Sequence, residues 1–335
     1  RKAMGLPPNA FNEQEWLYTA NPNLGYPTPE VTLNLQKELN QQLETGRVPG
    51  DGMDNQWVER GPNNVGGRTR VVMFAPGSVT KVFAGAVSGG LWVNNDITSS
   101  ASSWNQVSGV PSNMAVTCIT VDPLNANTMY IGTEEVTSGS GGAGWSYLGV
   151  NTVGLWKSTD GINFTRQTNV ALQSSAGVYC APESFTVTAN GDLYMGTKYS
   201  YATGAGGGRI YRCTNGTNWS LVRTLASADG RVRLVSSKQT NGRMFALCEN
   251  ATSGLPVIRR STDNFATVDT NVPLPTSSGN QPPAANDFCR GQAFYDLMIG
   301  MNPTNDSEVF VGGIEIFRTT TAFSGTTTGM WTQYT

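Results

Sequence analysis

An internal repeat with a period of roughly 50 residues constrains the fold of this chain more than any other feature. Each copy contains an apolar strand, a Gly-rich turn, an amphipathic strand and a polar turn that leads to an aromatic residue. The equivalent positions Ser158, Cys213 and Ser261 are 55 residues (158 to 213) and 48 residues (213 to 261) apart. This interval is typical of a propeller blade, which is a sheet of four short strands.

Five copies of the repeat can be aligned. They contain the stretches KVFAGAVSGGLWVNND, TMYIGTEE with GLWKSTDGINF, DLYMGTKY with GRIYRCTNGTNW, RMFALCEN with PVIRRSTDNF, and EVFVGGIEIFRTT. The sequence therefore predicts an all-β propeller of four-stranded blades over residues 57–335, with blades near 57–112, 113–172, 173–227, 228–280 and 281–335. An open propeller exposes a sheet edge. Because no closing strand is evident, we expect the five visible blades to be an incomplete set, and whether the chain continues beyond Thr335 stays open.

Residues 1–56 differ from the repeats and are predicted to form an arm that packs on the propeller. Thr28, Pro29 and Glu30 are typical of a helix start, and apolar residues follow at a spacing of four, so one amphipathic helix is expected to end near Gly46. The apolar positions are Val31, Leu35, Leu39 and Leu43.

Composition excludes several functions. The chain has no histidine, which removes Ser-His-Asp and Cys-His catalysis and histidine zinc sites. A net charge of −2 without a dense basic run argues against a nucleic-acid partner, and no apolar stretch is long enough for a transmembrane helix. We expect no cofactor and no metal site, although the Asp- and Asn-rich turns leave calcium binding open.

The five cysteines show none of the spacings of a zinc or redox site. They are predicted to be small buried thiols on strands, and a bridge between neighbouring strands stays open. Their positions are Cys118, Cys180, Cys213, Cys248 and Cys289.

The recurring polar turn is interpreted as structural. In KSTDGINF an Asp side chain can accept bonds from its own backbone, Gly supplies a positive φ, and the aromatic residue anchors the loop. A catalytic group is needed once, whereas this turn recurs from blade to blade. The residues assigned to it are Ser158, Asp160, Gly161 and Phe164, and in a later copy Ser261, Asp263 and Phe265.

These turns resemble the Asp-box, or BNR, motif of sialidase-like, sortilin-like and oligoxyloglucan-hydrolase-like propellers. The stretch from Trp57 to Arg70, WVERGPNNVGGRTR, followed by GAVSGGLWVNND, is similar to the first blade of large secreted propeller proteins of Bacteroidota. The resemblance implies a secreted or cell-surface, outer-membrane-associated protein that is exported by the type IX route and so engages the secretion machinery.

Catalysis on such a propeller would require a pair of carboxylates. Arg68, Glu183 and Asp296 lie on predicted inner strands and could converge on the channel, where the alternative is that they satisfy one another as buried polar pairs. Arg70, Glu134 and Glu135 are further charged residues near strand ends. The Arg-Ile-Pro-like opening and the Glu-Tyr pair of sialidases are not found.

Two Gly-rich stretches, 139–144 and 204–208, lack the ending of a phosphate-binding loop and are interpreted as long loops of blades two and three. Neighbouring aromatic residues could form a surface for a sugar or a peptide. These residues are Trp145, Tyr147, Tyr199 and Tyr201.

Three hypotheses for the function follow. The first is a propeller that binds a protein or glycan ligand at the cell surface, the second is an Asp-box glycoside hydrolase that uses a carboxylate pair, and the third is a structural subunit that docks on a larger assembly through its arm.

Overall fold

A computed structural model describes most of the propeller and a few residues of the arm. The described residues are 33–34, 37–38, 41, 68–87, 89–112, 114–133, 153–175, 178–198, 207–226, 229–276, 286–324 and 330–334. Within the arm, helical conformation is described at Leu33, Asn34, Lys37, Glu38 and Gln41. The apolar positions predicted for the arm helix lie outside the described residues. None of the described helices is long and apolar enough to cross a membrane.

The structure is an all-β propeller of five blades, which confirms the predicted fold class. Each blade is an antiparallel meander in which consecutive strands pair. Blade 1 contains β1 (Thr69–Phe74), β2 (Val82–Ala86), β3 (Leu91–Asn94) and β4 (Trp104–Gln106), and blade 2 contains β5 (Val116–Asp122), β6 (Asn125–Thr133), β7 (Gly154–Ser158) and β8 (Thr165–Arg166). A 3-10 helix (Val170–Leu172) and a separate ribbon of β9 (Gln173–Ser175) and β10 (Val178–Tyr179) follow.

The remaining three blades repeat this plan. Blade 3 contains β11 (Ala181–Val187), β12 (Leu193–Lys198), β13 (Arg209–Cys213) and β14 (Trp219–Thr224). Blade 4 has the three strands β15 (Asp229–Ser236), β16 (Met244–Asn250) and β17 (Pro256–Ser261), and a single bridge between Arg260 and Asp269 stands where a fourth strand would pair. Blade 5 contains β18 (Met298–Asn302), β19 (Asn305–Gly312), β20 (Ile316–Thr319) and β21 (Trp331–Gln333). The first strands of successive blades touch in the order β1, β5, β11, β15, β18 and are the inner strands of the propeller.

The core consists of four apolar layers, one between each pair of successive blades. Every layer contains an aromatic residue from the second strand of one blade and apolar residues from the first strand of the next. The aromatic residues are Phe83, Tyr130, Tyr194 and Phe245, all buried. An aromatic side chain buries roughly 150–250 Å², so this position contributes strongly to each blade contact.

The polar turn before the last strand has the geometry of a local anchor. The Ser158 hydroxyl donates to Asp160 Oδ1 at 2.9 Å and accepts from the Gly161 N–H at 2.9 Å, while Asp160 Oδ1 accepts from the N–H groups of Ile162 and Asn163 at 2.8 and 2.7 Å. These backbone bonds hold the pKa of Asp160 well below its usual value. The aromatic residue that follows, Phe164, is buried between blades 1 and 2.

Blade 4 repeats this geometry. Ser261 donates to Asp263 Oδ1 at 2.8 Å and accepts from the Phe265 N–H at 2.8 Å, and Asp263 Oδ1 accepts from the Thr267 N–H at 2.8 Å. Asn264 and Phe265 both have positive φ, 59° and 65°, which places the buried phenyl ring under the turn.

Blade 5 contains a further turn of this type that the sequence alone does not reveal. Ala322 and Phe323 have φ values of 50° and 61°, as Asn264 and Phe265 do, and Phe323 is buried. Thr319 stands in place of the serine and accepts from the Thr321 N–H at 3.3 Å. The backbone shape is therefore kept although the Ser and Asp residues are not.

All five cysteines are buried and free. Burial raises the pKa of the Cys118 thiol to about 12 and that of Cys180 to about 12. Thiols in such surroundings are protonated at neutral pH and behave as small apolar groups.

Replacement of Ser158 by Ala is expected to destabilise the protein by about 1–3 kcal/mol, because the buried N–H of Gly161 loses its acceptor. The measurement is the free energy of unfolding in urea. Ser220→Ala is the matched control, since the Ser220 hydroxyl is exposed on β14. Equal stability of the two variants would contradict the structural role of the turn.

Candidate binding site at the channel mouth

β-Bulges at one end of the inner strands position the charged side chains of the channel. In β1 the pairing shifts between Thr69 and Val71, so Arg70 is the extra residue, and in β11 it shifts between Pro182 and Ser184, so Glu183 is the extra residue. A bulge re-aims the side chain of the extra residue away from the alternation of the strand.

The other two bulges lie at the same level. Thr117 is the extra residue of β5, and in β15 the pair Gly230 and Arg231 opposes the single residue Glu249 of β16. The Thr117 hydroxyl donates to the carbonyl oxygen of Pro182 at 2.7 Å. Four inner strands therefore present their bulged residues, Arg70, Thr117, Glu183 and Arg231, around the axis; this set is called the bulge layer.

Glu183 is the centre of the bulge layer and is fully buried, with 0% exposure. Its Oε1 lies 3.2 Å from Arg70 Nη2 and 3.2 Å from Arg233 Nη1, and its Oε2 lies 3.3 Å from Arg231 Nη2. Arg233 Nη1 also donates to the Glu183 carbonyl oxygen at 3.0 Å. One carboxylate thus binds guanidinium groups from β1 and β15.

Tyr295, which precedes β18, joins blade 5 to this cluster. Its carbonyl oxygen accepts from Arg70 Nη2 at 3.1 Å and from Arg231 Nη1 at 2.6 Å. Its ring lies 4.7 Å from the Arg70 guanidinium and 5.5 Å from that of Arg68, and its hydroxyl accepts from Arg68 Nη1 at 3.3 Å. Cation–π contacts of this kind stabilise cations in desolvated positions.

The carboxyl groups of the bulge layer and its surroundings differ in the direction of their pKa shifts. Burial alone would raise the pKa of Glu183, but Arg231, Arg70, Arg233 and Lys198 hold it at about 2. Burial raises the pKa of Asp296 above its usual value, although Arg70 and Arg231 oppose the shift. Burial likewise raises the pKa of Glu249.

The structure brings together four of the residues that the sequence singles out, one of which, Arg70, pairs with Glu183 as described above. Glu183 lies at the centre of the layer, exposed Arg68 lies against Tyr295, and half-buried Asp296 lies within the electrostatic influence of Arg70 and Arg231. The remaining candidates, Glu134, Glu135, Trp145, Tyr147, Tyr199 and Tyr201, lie outside the described residues.

Sequence reasoning missed Arg231, Arg233 and Tyr295. A signal for the first two is present, because an Arg-x-Arg pair opens β1 as Arg68 and Arg70 and recurs in β15 as Arg231 and Arg233. Tyr295 lies in an irregular stretch outside the repeat pattern, and nothing in its sequence context marks it.

Both Gly-rich segments attach at the same end of the propeller as the bulge layer. β6 ends at Thr133, which pairs with Val116 at the start of β5, and β12 ends at Lys198, which pairs with Ala181 at the start of β11. β7 and β13 begin at this end as well, so the chain leaves and re-enters blades 2 and 3 there. This end is called the channel mouth.

The chemistry of the mouth suits recognition of an anion. Three arginines and Lys198 act on Glu183, and Arg68 adds a further cation beside Tyr295. The low pKa and complete burial of Glu183 make it unable to donate a proton to a substrate at neutral pH. Within the described part of the chain, no group of three or more His, Cys, Asp or Glu residues could hold a metal ion.

Comparison with known proteins shows the fold. No family model and no curated protein sequence matches the chain. Among solved structures, the GH74 xyloglucanase from Xanthomonas campestris superposes with a TM-score of 0.53 at 14% identity, over 79% of this chain and 38% of that one. The Niastella koreensis GH74 enzyme superposes with a TM-score of 0.53 at 17% identity, over 76% of this chain and 36% of that one.

An ancestral GH74 enzyme gives a TM-score of 0.51 at 14% identity, over 80% of this chain and 31% of that chain. The protein thus spans about a third of the length of each of these enzymes. At such identities the likeness supports the class, a β-propeller, and no finer assignment.

Glu183→Gln is expected to destabilise the protein by about 3–5 kcal/mol at pH 7, because three guanidinium groups lose a buried counter-charge. Since the pKa of Glu183 is depressed to about 2 in the folded state, its stabilisation is present above the unfolded pKa of about 4.3 and disappears as the pH falls towards 2. Urea denaturation of the wild type and the variant between pH 7 and about pH 2.5 measures both effects.

The difference in stability between the two proteins should shrink with acidification. Glu38→Gln, at an exposed position in the arm, is the matched control and should behave as the wild type. A difference that does not depend on pH would show that Glu183 is not ionised in the folded protein.

Proposed function

We propose that this propeller is a binding module whose ligand enters the channel mouth and presents a carboxylate or a similar anion to the arginines there. The observation that carries this proposal is that three guanidinium groups pair with the single carboxylate of Glu183, while Arg68 adds a fourth that is exposed at the entrance. Arginine binds carboxylates with two parallel hydrogen bonds, which gives geometric specificity as well as binding energy.

The same observations argue against the glycoside hydrolase hypothesis. That chemistry requires one carboxyl group to act as an acid and a second to act as a base or nucleophile, both in contact with the sugar. Glu183 is buried and binds three arginines, so it is a structural counter-ion in this site. Asp296 and Glu249 are then the described carboxyl groups left in the layer, and because burial raises the pKa of both, they are not the pair with separated pKa values that acid and base roles require.

Binding is favoured over a purely structural role by the position of the mouth. The mouth receives the ends of both Gly-rich segments, and loops at one end of a rigid scaffold are where recognition residues concentrate. The proposed ligand is an acidic glycan or an acidic protein segment. The aromatic residues of those segments, Trp145, Tyr147, Tyr199 and Tyr201, are proposed to contribute stacking contacts.

We further propose that the protein works outside the cell or at the cell surface, as cargo of type IX secretion. The resemblance of residues 57–70 and of the polar turns to secreted propellers of Bacteroidota supports this location. Immunodetection in fractionated cells of the native organism should find the protein in the medium or on the outer membrane. Detection in the cytoplasm alone would contradict the proposal.

Arg68→Ala is expected to weaken binding of an anionic ligand by about 10-fold or more, since a hydrogen bond to a charged group contributes about 1.5–3 kcal/mol. Calorimetric titration with a uronic-acid oligosaccharide and with an acidic peptide measures the effect, and a neutral oligosaccharide of equal length tests the need for the charge. Since Arg68 is exposed, the fold should be unaffected.

Lys81→Ala is the matched control. It removes one positive charge at the opposite end of blade 1, where Lys81 packs over Phe83. Equal losses in both variants would indicate an effect of net charge alone, and binding of the neutral oligosaccharide as tightly as the acidic one would overturn the role of the arginines.

A further inference from the structure

Blades 2, 3 and 4 each pack on a neighbouring blade through both faces of their sheet. Blades 1 and 5 each have one sheet face on which no described blade packs. On the first strand, alternate residues point back to the preceding blade. In blade 2 these are Ile119 and Val121, which pack on blade 1, and in blade 5 they are Ile299 and Met301, which pack on blade 4. The equivalent residues of blade 1 lie on the face that points away from blade 2.

Val72 and Phe74 are the equivalent residues of blade 1, and they are 58% and 54% exposed. The pairing fixes the equivalence, because Met73 pairs with Phe83 as Thr120 pairs with Tyr130. An inner strand of a propeller thus presents an aliphatic and an aromatic side chain to solvent.

Blade 5 exposes the opposite face. Its second-strand aromatic residue, Phe310, contacts Tyr334 of its own blade, with ring centroids 6.4 Å apart, whereas the equivalent residues of blades 1 to 4 are buried against the next blade. Tyr334 itself is 57% exposed.

Two glycine positions of blade 5 also show that no described blade packs on this face. A Cβ on Gly132 or Gly196 would meet Pro182 or Val232 of the next blade, whereas the three atoms nearest to one on the equivalent Gly312 all belong to blade 5. A Cβ on Gly300, which is beside Phe310 on the inner strand, would meet nothing within 4 Å.

The basic residue of the third strand reaches the next blade in blades 2 and 4 but not in blade 3, where Arg212 binds Asp192 of its own blade. Lys157 donates to the Gly216 carbonyl oxygen of the next blade at 2.6 Å, and Arg260 donates to that of Phe323 at 2.9 Å. The equivalent Arg318 binds Glu308 and the Tyr334 hydroxyl, both in its own blade.

Among the described residues no blade packs on either of these two faces, which are together called the open cleft: Val72 and Phe74 on one side and Phe310, Arg318 and Tyr334 on the other. Arg68 and Arg70 reach Tyr295 at the channel mouth, so the described contacts join the two blades there. Val72 and Phe74 lie further along β1, roughly 13 and 20 Å from Arg68 at about 3.3 Å per residue.

We propose that residues 1–67 of this chain occupy the open cleft. This segment connects directly to Arg68 at the start of β1, so its effective concentration at the cleft is high. An extended chain from Arg68 back to Trp57 reaches about 36 Å, which covers the distance to Val72 and Phe74. The segment supplies apolar side chains, among them Trp16, Leu17 and Tyr18.

Charge and space favour this occupant over a second copy of the chain. Residues 1–67 contain eight acidic and five basic residues, a net charge of −3, whereas the remaining chain has 16 acidic and 17 basic residues. A second copy would have to insert a whole blade between blades that Tyr295 already joins at the mouth, whereas a tethered segment can enter from the side.

The test is hydrogen–deuterium exchange on the full chain, comparing the wild type with a Val72→Asp, Phe74→Asp double variant. We expect the wild type to protect amides within residues 1–67 by at least about 10-fold, which a bound segment requires. The double variant should lose that protection, and Tyr334→Asp on the other side of the cleft should lose it as well. Because all three side chains are more than half exposed, the propeller should stay folded, which its unfolding midpoint verifies.

Leu124→Asp is the matched control, because Leu124 is 63% exposed on the hairpin between β5 and β6 of blade 2, away from the cleft. It should leave the protection of residues 1–67 unchanged. Rapid exchange of the whole segment in the wild type, or protection that the cleft variants do not alter, would overturn the proposal. So would a wild-type dimer in light scattering that the cleft variants dissociate, since a second copy would then cover these faces.

Discussion

The arrangement of the inner strands at the channel mouth depends on one buried carboxylate. Glu183 is fully buried, and desolvation of an ion in such a position costs several kcal/mol. Arg70, Arg231 and Arg233 offset that cost, and they belong to β1 and β15, on either side of β11 in the ring. Tyr295 adds blade 5 by accepting from two of the same guanidinium groups. A single charge therefore links residues of blades 1, 3, 4 and 5, and blade 2 joins through the Thr117 hydroxyl on the Pro182 carbonyl beside it.

Away from the axis, cohesion depends on the polar turn, which serves two blades at once. Within its own blade, the turn places an aromatic residue under the sheet. Towards the preceding blade, it offers a carbonyl oxygen to a basic side chain, as Gly216 does to Lys157, Phe265 to Arg223 and Phe323 to Arg260. This second role explains why the backbone shape persists in blade 5, where Thr319 and Ala322 replace the usual residues. The contact with the preceding blade needs the carbonyl oxygen and the aromatic ring, and more than one sequence can provide them.

The fold could be predicted because its signals are local. A Ser-x-Asp turn with a following aromatic residue determines its own hydrogen bonds, and repetition at a nearly constant interval shows that one blade follows another. The bulge layer could not be predicted because it depends on pairing between strands. In a regular strand Arg70 would share a face with Val72, but one extra residue changes which face each side chain takes. The partners of Glu183 lie 113 and 50 residues away in sequence, and only the register of the bulges brings them together.

Repetition also separates structural from functional positions within the chain. The turn positions carry similar residues in several blades, which is expected of positions that have the same structural role in each blade. The bulged position instead carries Arg70, Thr117, Glu183 and Arg231, four side chains that differ in charge and size at one level of the propeller. A purely structural role repeated in each blade would not require such differences. The asymmetry gives the mouth a direction, with exposed Arg68 on the outside and the ion-paired Glu183 behind it. The proposed recognition of an anion depends on this difference between blades, whereas cohesion depends on the turns that the blades share.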